Sequence, residues 1–111
     1  YYRETLLDEA AEWLDEWAQR MEVLPNRLYV RRMQTRWGSC TPATGTIRLN
    51  TELAKKPREC GKYVLVHELA HLIEPTHNAR FIAILDHHLP MWRELKSELN
   101  RLPVRHESWK Y

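Results

Sequence analysis

The run Val64-Leu65-Val66-His67-Glu68-Leu69-Ala70-His71-Leu72-Ile73 sets the strongest constraint on this chain, because three ionisable side chains sit inside its most apolar segment. A buried polar group without a partner costs roughly 2–7 kcal/mol, and neighbouring Val and Leu offer no partner. A metal ion would satisfy all three groups. On an α-helix residues four apart are offset by only ~40° and ~6 Å, so His67 and His71 project from one face as a two-imidazole grip. Glu68 lies ~100° round from His67, beside a metal rather than on it, where a carboxylate can take a proton from water. This is the His-Glu-x-x-His pattern of zinc peptidases.

A catalytic zinc ion takes three protein ligands and keeps one position open. The third candidate is His77. In a continuous helix it would lie ~240° round from His71 and out of reach. Pro75 changes that, because proline lacks the N–H and restricts the residue before it, so the helix should stop near Ile73 or Glu74 and turn back with His77. Glu74 is the rival third ligand, with a proline directly after it. Glu68-x-x-His71 and Glu74-x-x-His77 also have the spacing of di-iron carboxylate sites. Those sites draw their pairs from different helices, and here both pairs share one segment. His87, His88 and His106 read as surface residues, with His106 in a tail that could reach the cleft.

The 111 residues, 43% hydrophobic and 29% charged, are expected to form one domain, 1–111, burying roughly 60–70% of its unfolded surface. No apolar run approaches the ~18 residues of a membrane span, so no membrane role is expected. The chain starts at Tyr1, which leaves room for an upstream segment, and no targeting signal is legible. Cys40 and Cys60 form neither a disulfide framework nor a Cys-x-x-Cys pair, which suits small buried residues in a reducing, cytoplasmic setting.

Leu6, Leu7, Ala10, Trp13, Leu14, Trp17 and Met21 recur at helical steps, and Pro25 should close that helix. From Arg27 the period becomes two: Leu28 and Val30 alternate with Tyr29 and Arg31. Trp37 to Thr41 and Thr46 to Asn50 flank Pro42-Ala43-Thr44-Gly45 as a hairpin, and a small antiparallel sheet is expected. Asn50 or Thr51 can cap a short turn, and Pro57 suits the first turn of the helix bearing the His-Glu-x-x-His run, where Tyr63 shares the face of His67. Thr76 or Asn78 can cap a third helix with Phe81, Ile82, Leu85 and Leu89 inward. Pro90 opens a last helix with Trp92, Leu95, Leu99 and Leu102 inward, followed by an irregular tail from Pro103 to Tyr111. The fold class is therefore α+β. Net charge is only +2, but no Asp or Glu occurs from Val23 to Thr51, where Arg27, Arg31, Arg32, Arg36 and Arg48 give a local +5. Either this is a solvated sheet face or part of it meets an anionic or carbonyl-rich substrate.

Arg36-Trp37-Gly38-Ser39-Cys40, Gly45-Thr46-Ile47-Arg48-Leu49-Asn50, Tyr63 to His71, and then His77 and Phe81 resemble, in order, the YgjP-like metallopeptidase domain, a small zincin group. The resemblance implies a small zincin-like domain with helices packed on a short sheet. It also implies one Zn²⁺ on His67, His71 and His77, and Glu68 as catalytic base. The ligand spacing is similar to that of Wss1-like and metzincin proteases, although metzincins have Gly where Glu74 stands. Many members carry an additional N-terminal β-rich segment that this sequence lacks.

The implied reaction is hydrolysis of a peptide or protein substrate, with the peptide extended along a sheet edge near Trp37 to Cys40. Arg36, Ser39 and Tyr63 are candidates for stabilising the oxyanion. Two alternatives use the same residues differently. One is a metal-dependent hydrolase of nucleoside triphosphates with phosphates on the Arg-rich sheet; the other is a zinc-containing module associated with nucleic acid.

Overall fold

The computed structural model describes residues 2–33 and 36–101, with side chains from Thr5 onward. Helix α1 (Tyr2–Met21) buries Leu6, Ala10, Trp13, Trp17 and Met21, while Leu7 lies off the stripe and is 39% exposed. The helix stops four residues before Pro25. Glu22 takes a left-handed conformation (φ 55°), and Val23 N–H reaches back to the Ala18 carbonyl at 3.0 Å, which satisfies orphan carbonyls of the last turn.

Strands β1 (Arg27–Arg31), β2 (Gly38–Thr41) and β3 (Thr46–Asn50) form one sheet in the order β1-β3-β2. The β2–β3 hairpin is antiparallel, with Ser39 opposite Arg48. Its turn needs Gly45 (φ 68°): the Gly45 carbonyl accepts from Asn26 N–H at 2.7 Å, and a Cβ there would meet the Asn26 nitrogen at 3.0 Å. The wholly antiparallel sheet expected from the sequence does not form. β1 pairs with β3 in parallel, Tyr29 opposite Arg48, because the chain crosses after Arg31 to the far side and returns through the middle. Central β3 consequently has two covered edges, and Ile47 and Leu49 are fully buried.

Asn50 caps the 3₁₀ turn Thr51–Lys55, accepting from Glu52 N–H at 3.0 Å. The same buried side chain donates from Nδ2 to the carbonyls of Met33 (2.9 Å) and Arg36 (2.7 Å), tying the β1–β2 connection to the end of β3. Helix α2 (Arg58–Ala70) follows Pro57 and runs through the centre of the molecule, with Tyr63 through Ala70 all buried. α1, β2 and β3, α3 (Ala79–His88) and α4 (Trp92–Asn100) surround it. Of the stripes expected for α3 and α4, Phe81, Leu85, Trp92 and Leu99 are buried, and Ile82, Leu89 and Leu95 pack partly buried against them. Leu102, the tail and His106 lie outside the described residues. Among the described residues, no helix is long and apolar enough to cross a membrane.

Candidate metal centre

His67 sits in the last turn of α2, buried to 2% exposure, and its Nδ1 lies 3.1 Å from Glu68 Oε2. His71 is the C-terminal cap residue of α2, still right-handed helical at φ −68° and ψ −18°. Past Ala70 the helix tightens: Leu72 and Ile73 N–H bond three residues back to Leu69 and Ala70, and Glu74 N–H closes on the Ala70 carbonyl at 2.8 Å. Pro75 has no N–H to continue this ladder, so the chain leaves the helix where its sequence demands.

The following turn is held by Glu74 itself. Its Oε2 accepts from Thr76 N–H (3.2 Å) and Thr76 Oγ1 (3.0 Å), and its Oε1 lies 4.0 Å from Arg80. These bonds hold its carboxyl below the usual carboxylate range. Glu74 thus shapes the turn that returns His77, and the rival to His77 is committed elsewhere. Asn78 caps α3 by accepting from Phe81 N–H at 3.0 Å, which fixes the chain immediately after His77.

The three imidazoles converge. Their ligand-capable nitrogens all lie within 4.8 Å of one another, and Nε2 of His71 and of His77 are 2.9 Å apart. A tetrahedral ion with M–N bonds of ~2.0–2.1 Å needs N···N separations of about 3.3 Å, which small ring movements would supply. The donor set suits such an ion. Nδ1 of His71 lies 3.3 Å from the Glu74 carbonyl, and donating to it leaves the Nε2 lone pair facing the common point. Burial pushes the His67 imidazolium down to about 3 and also lowers His71 and His77, so all three are neutral at neutral pH, as ligands must be.

Glu68, 2% exposed, is pushed up to about 7 by burial, against the lowering influence of His71, His77 and Arg36. It faces β2: a Cβ built on Gly38 would stand 3.3 Å from Glu68 Cγ and 2.7 Å from Val64 Cγ1. Only a residue without a side chain lets the strand come this close to the helix.

Phe81 is the residue whose role the sequence left as packing alone. Its ring stacks on His71 (centroids 4.6 Å, 27°) and meets His67 and His77 edge-on at 5.0 Å each, forming the floor beneath all three imidazoles. Its place in the ordered motifs was the only sequence signal for this. Tyr63 does share the His67 face, 6.0 Å edge-on, but it is fully buried and its ring stacks on Trp92 at 6.4 Å. His87 and His88 pair with each other on α3 at 4.7 Å and do not join the cluster. Cys60 is buried and Cys40 half-buried, and both are free thiols. Burial, with a smaller contribution from Glu68, pushes the Cys40 thiol up to about 12, so it stays protonated.

Fold and site together define a metallopeptidase that uses a metal at a histidine triad. The chain belongs to the YgjP-like metallopeptidase domain family, whose model it matches over residues 1–102. Two solved structures share the fold. The metallopeptidase zymogen abylysin of Pyrococcus abyssi superposes with a TM-score of 0.71 at 22% identity, over 78% of this chain and 88% of that one. The metallopeptidase zymogen jannalysin of Methanocaldococcus jannaschii gives 0.68 at 19% identity, over 78% and 89%. No curated protein matches the sequence.

Proposed function

We propose that the chain is a zinc-dependent peptidase in which His67, His71 and His77 hold one Zn²⁺ and Glu68 is the catalytic base. The observation that carries this reading is the convergence of three imidazoles beside one buried carboxylate. Zinc in such a site supplies Lewis acidity, polarising a carbonyl oxygen and easing deprotonation of water near neutral pH. Glu68 accepts the water's proton on its carboxylate and returns it to the leaving amine. Burial, which raises the Glu68 carboxyl, favours its taking up a proton, and that suits a base which must hold the proton before passing it on. His67 Nδ1, 3.1 Å from Oε2, orients the carboxylate.

The substrate is a peptide or protein segment. β2 is an outer strand of the sheet, and among the described residues its far edge pairs with no other strand. A peptide added there would gain main-chain hydrogen bonds while Gly38 brings it against Glu68. The nucleotide alternative fits less well, since guanidinium groups of the sheet are turned onto neighbouring side chains: Arg27 and Arg31 onto Tyr29, and Arg48 onto Thr41. The free thiols of Cys40 and Cys60 accord with a cytoplasmic setting.

The test compares wild type with Glu68→Gln, both zinc-loaded, on a peptide library and a nucleotide panel. Peptide hydrolysis should fall by about a thousandfold or more while zinc content stays at one per chain. Unchanged turnover in the variant, or hydrolysis confined to nucleotides, refutes the assignment.

A further inference from the structure

The arginines of this protein fall into two groups. Outside the acid-free stretch every arginine with a described side chain lies within ion-pair distance of a carboxylate: Arg20 with Glu16, Arg58 with Glu9, Arg80 with Glu74, Arg93 with Asp86, and Arg101 with Glu98. Inside it, Arg27, Arg31, Arg32, Arg36 and Arg48 have no carboxylate within ion-pair distance among the described residues, although the Arg36 charge is felt by Glu68. Sheet register sets where they point. Tyr29, Arg48 and Ser39 are directly opposite one another across the three strands, so they share a face, and Arg27 and Arg31 share it by alternation. Leu28, Val30, Ile47, Leu49 and Cys40 take the inner face, toward α2.

Arg48 reaches along that outer face over β2, where its Nη1 donates to Thr41 Oγ1 at 3.0 Å. Among the described residues its other N–H donors make no further side-chain bond, and they can form a fork toward the strand edge. Thr41 lies three residues, about 10 Å, from Gly38, the β2 residue that touches Glu68. At the other end of β2, Arg36 is exposed and held by its carbonyl to Asn50 Nδ2 at 2.7 Å. A peptide lying along β2 therefore passes Arg48 on the outer face, where alternate substrate side chains project, and Arg36 beyond the Gly38 end of the strand.

We propose that the site selects peptides bearing a carboxylate side chain within about three residues of the cleaved bond, bound by Arg48 and, at the opposite end of β2, by Arg36. This rests on the peptidase reading above and adds to it the substrate class. An acidic peptide fits this face better than a single-stranded nucleic acid, whose binding commonly adds base stacking on an open aromatic surface. Tyr29 is the aromatic of the outer face, and it is occupied: Arg31 covers its ring at 4.9 Å and Arg27 donates to its hydroxyl at 3.3 Å.

The experiment uses the full chain carrying Glu68→Gln, so that peptide is bound without being cut. Fluorescein-labelled nonapeptides with Glu three residues from an apolar centre, the matching Gln peptides and a single-stranded oligothymidylate are titrated by anisotropy. The Glu peptide should bind about tenfold more tightly than its Gln counterpart, with the preference weakening in salt. Arg48→Gln and Arg36→Gln should each reduce the preference, Arg48→Lys should retain part of it, and Arg20→Gln should leave it intact. Thermal melts identify any variant that fails to fold.

Equal binding of Glu and Gln peptides to the parent protein overturns the proposal. So does displacement of the Glu peptide by the oligonucleotide at lower concentration. Cleavage separates this inference from the one beneath it. If wild type cuts both peptides equally and Glu68→Gln cuts neither, the peptidase reading stands and the selectivity falls. If the Glu peptide binds through Arg48 but wild type cuts nothing, the anion-binding face stands and the peptidase reading falls.

Discussion

Gly38→Ala tests how closely β2 must approach helix α2. The added Cβ would lie 2.7 Å from Val64 Cγ1, 3.0 Å from the Arg48 carbonyl oxygen and 3.3 Å from Glu68 Cγ. Carbon atoms prefer separations of about 3.5–4.0 Å, so the Val64 contact alone calls for a shift of almost 1 Å. Arg48 O is backbone of the paired strand and cannot rotate away. Overpacking of this kind costs about 1–3 kcal/mol, while the loss of glycine's freedom in the unfolded chain returns about 0.4–1 kcal/mol. The net loss is then about 1.3 kcal/mol at the middle of these ranges and at most about 2.6 kcal/mol. With an unfolding entropy of about 2.1 cal/mol/K per residue, Tm should drop by about 6 °C, and by no more than about 11 °C. The strand can only move away from Glu68, and a 1 Å misplacement near the chemistry can cost about a hundredfold in rate. The assay is a thermal melt paired with kcat/KM on a peptide substrate. Trimming the clashing partner should help, so Val64→Ala should cost less in the Gly38→Ala background than in wild type, a coupling that a double-mutant cycle reads directly. A Gly38→Ala variant with unchanged Tm and unchanged kcat/KM would refute the close-approach argument.

Asn50→Ala should lower stability by about 2–4 kcal/mol in a denaturant titration, because it deprives the Met33 and Arg36 carbonyls of their donor and Glu52 N–H of its acceptor. Asn78→Ala removes the α3 cap beside His77 and should cost about 1 kcal/mol and weaken zinc affinity by competition assay, whereas Asn78→Ser should restore both. In metal-free protein Glu68 keeps its proton to about pH 7, while the unfolded chain releases it near 4.5. At this group the native state thus binds more protons across that window, so its contribution to stability falls by roughly 2–4 kcal/mol as pH rises through it, against the opposite contribution of the three depressed imidazoles; the change in stability between pH 5 and pH 8 should therefore be more positive in Glu68→Gln than in wild type. Zinc affinity should decline as pH drops below 6.5, the ordinary histidine value, with the loss delayed because burial holds all three imidazoles below it. An affinity that is flat from pH 7 to pH 4 would contradict histidine ligation.

Most of the site was legible because its rules are local. A four-residue spacing places His67 and His71 together on any α-helix, and Pro75 ends that helix wherever the chain goes afterwards. The hairpin around Gly45 and the caps by Asn50 and Asn78 belong to the same class, since each partner lies within a few residues. The end of α1 was misplaced because its stop is Glu22 in a left-handed conformation, a position that glycine usually announces. The commitment of Glu74 to Thr76 was equally hidden, since a carboxylate three residues after His71 could have turned either way.

The sequence by itself determined the chemistry on offer: two imidazoles and a carboxylate on one helix, a third imidazole after a proline turn, and an acid-free run of five arginines. Tertiary structure decided how these are used. Only the β1-β3-β2 order makes β2 an edge beside Glu68, and only the register across three strands puts Arg48 on the outer face with Tyr29 and Ser39. Phe81 becomes the floor of the site because α3 packs on α2, and Asn50 holds the entrance to β2 from 14 residues away. Local geometry follows from backbone periodicity and is written in residue spacing. Strand order and side-chain floors depend on which distant surfaces bury one another, and no short window of sequence contains both partners.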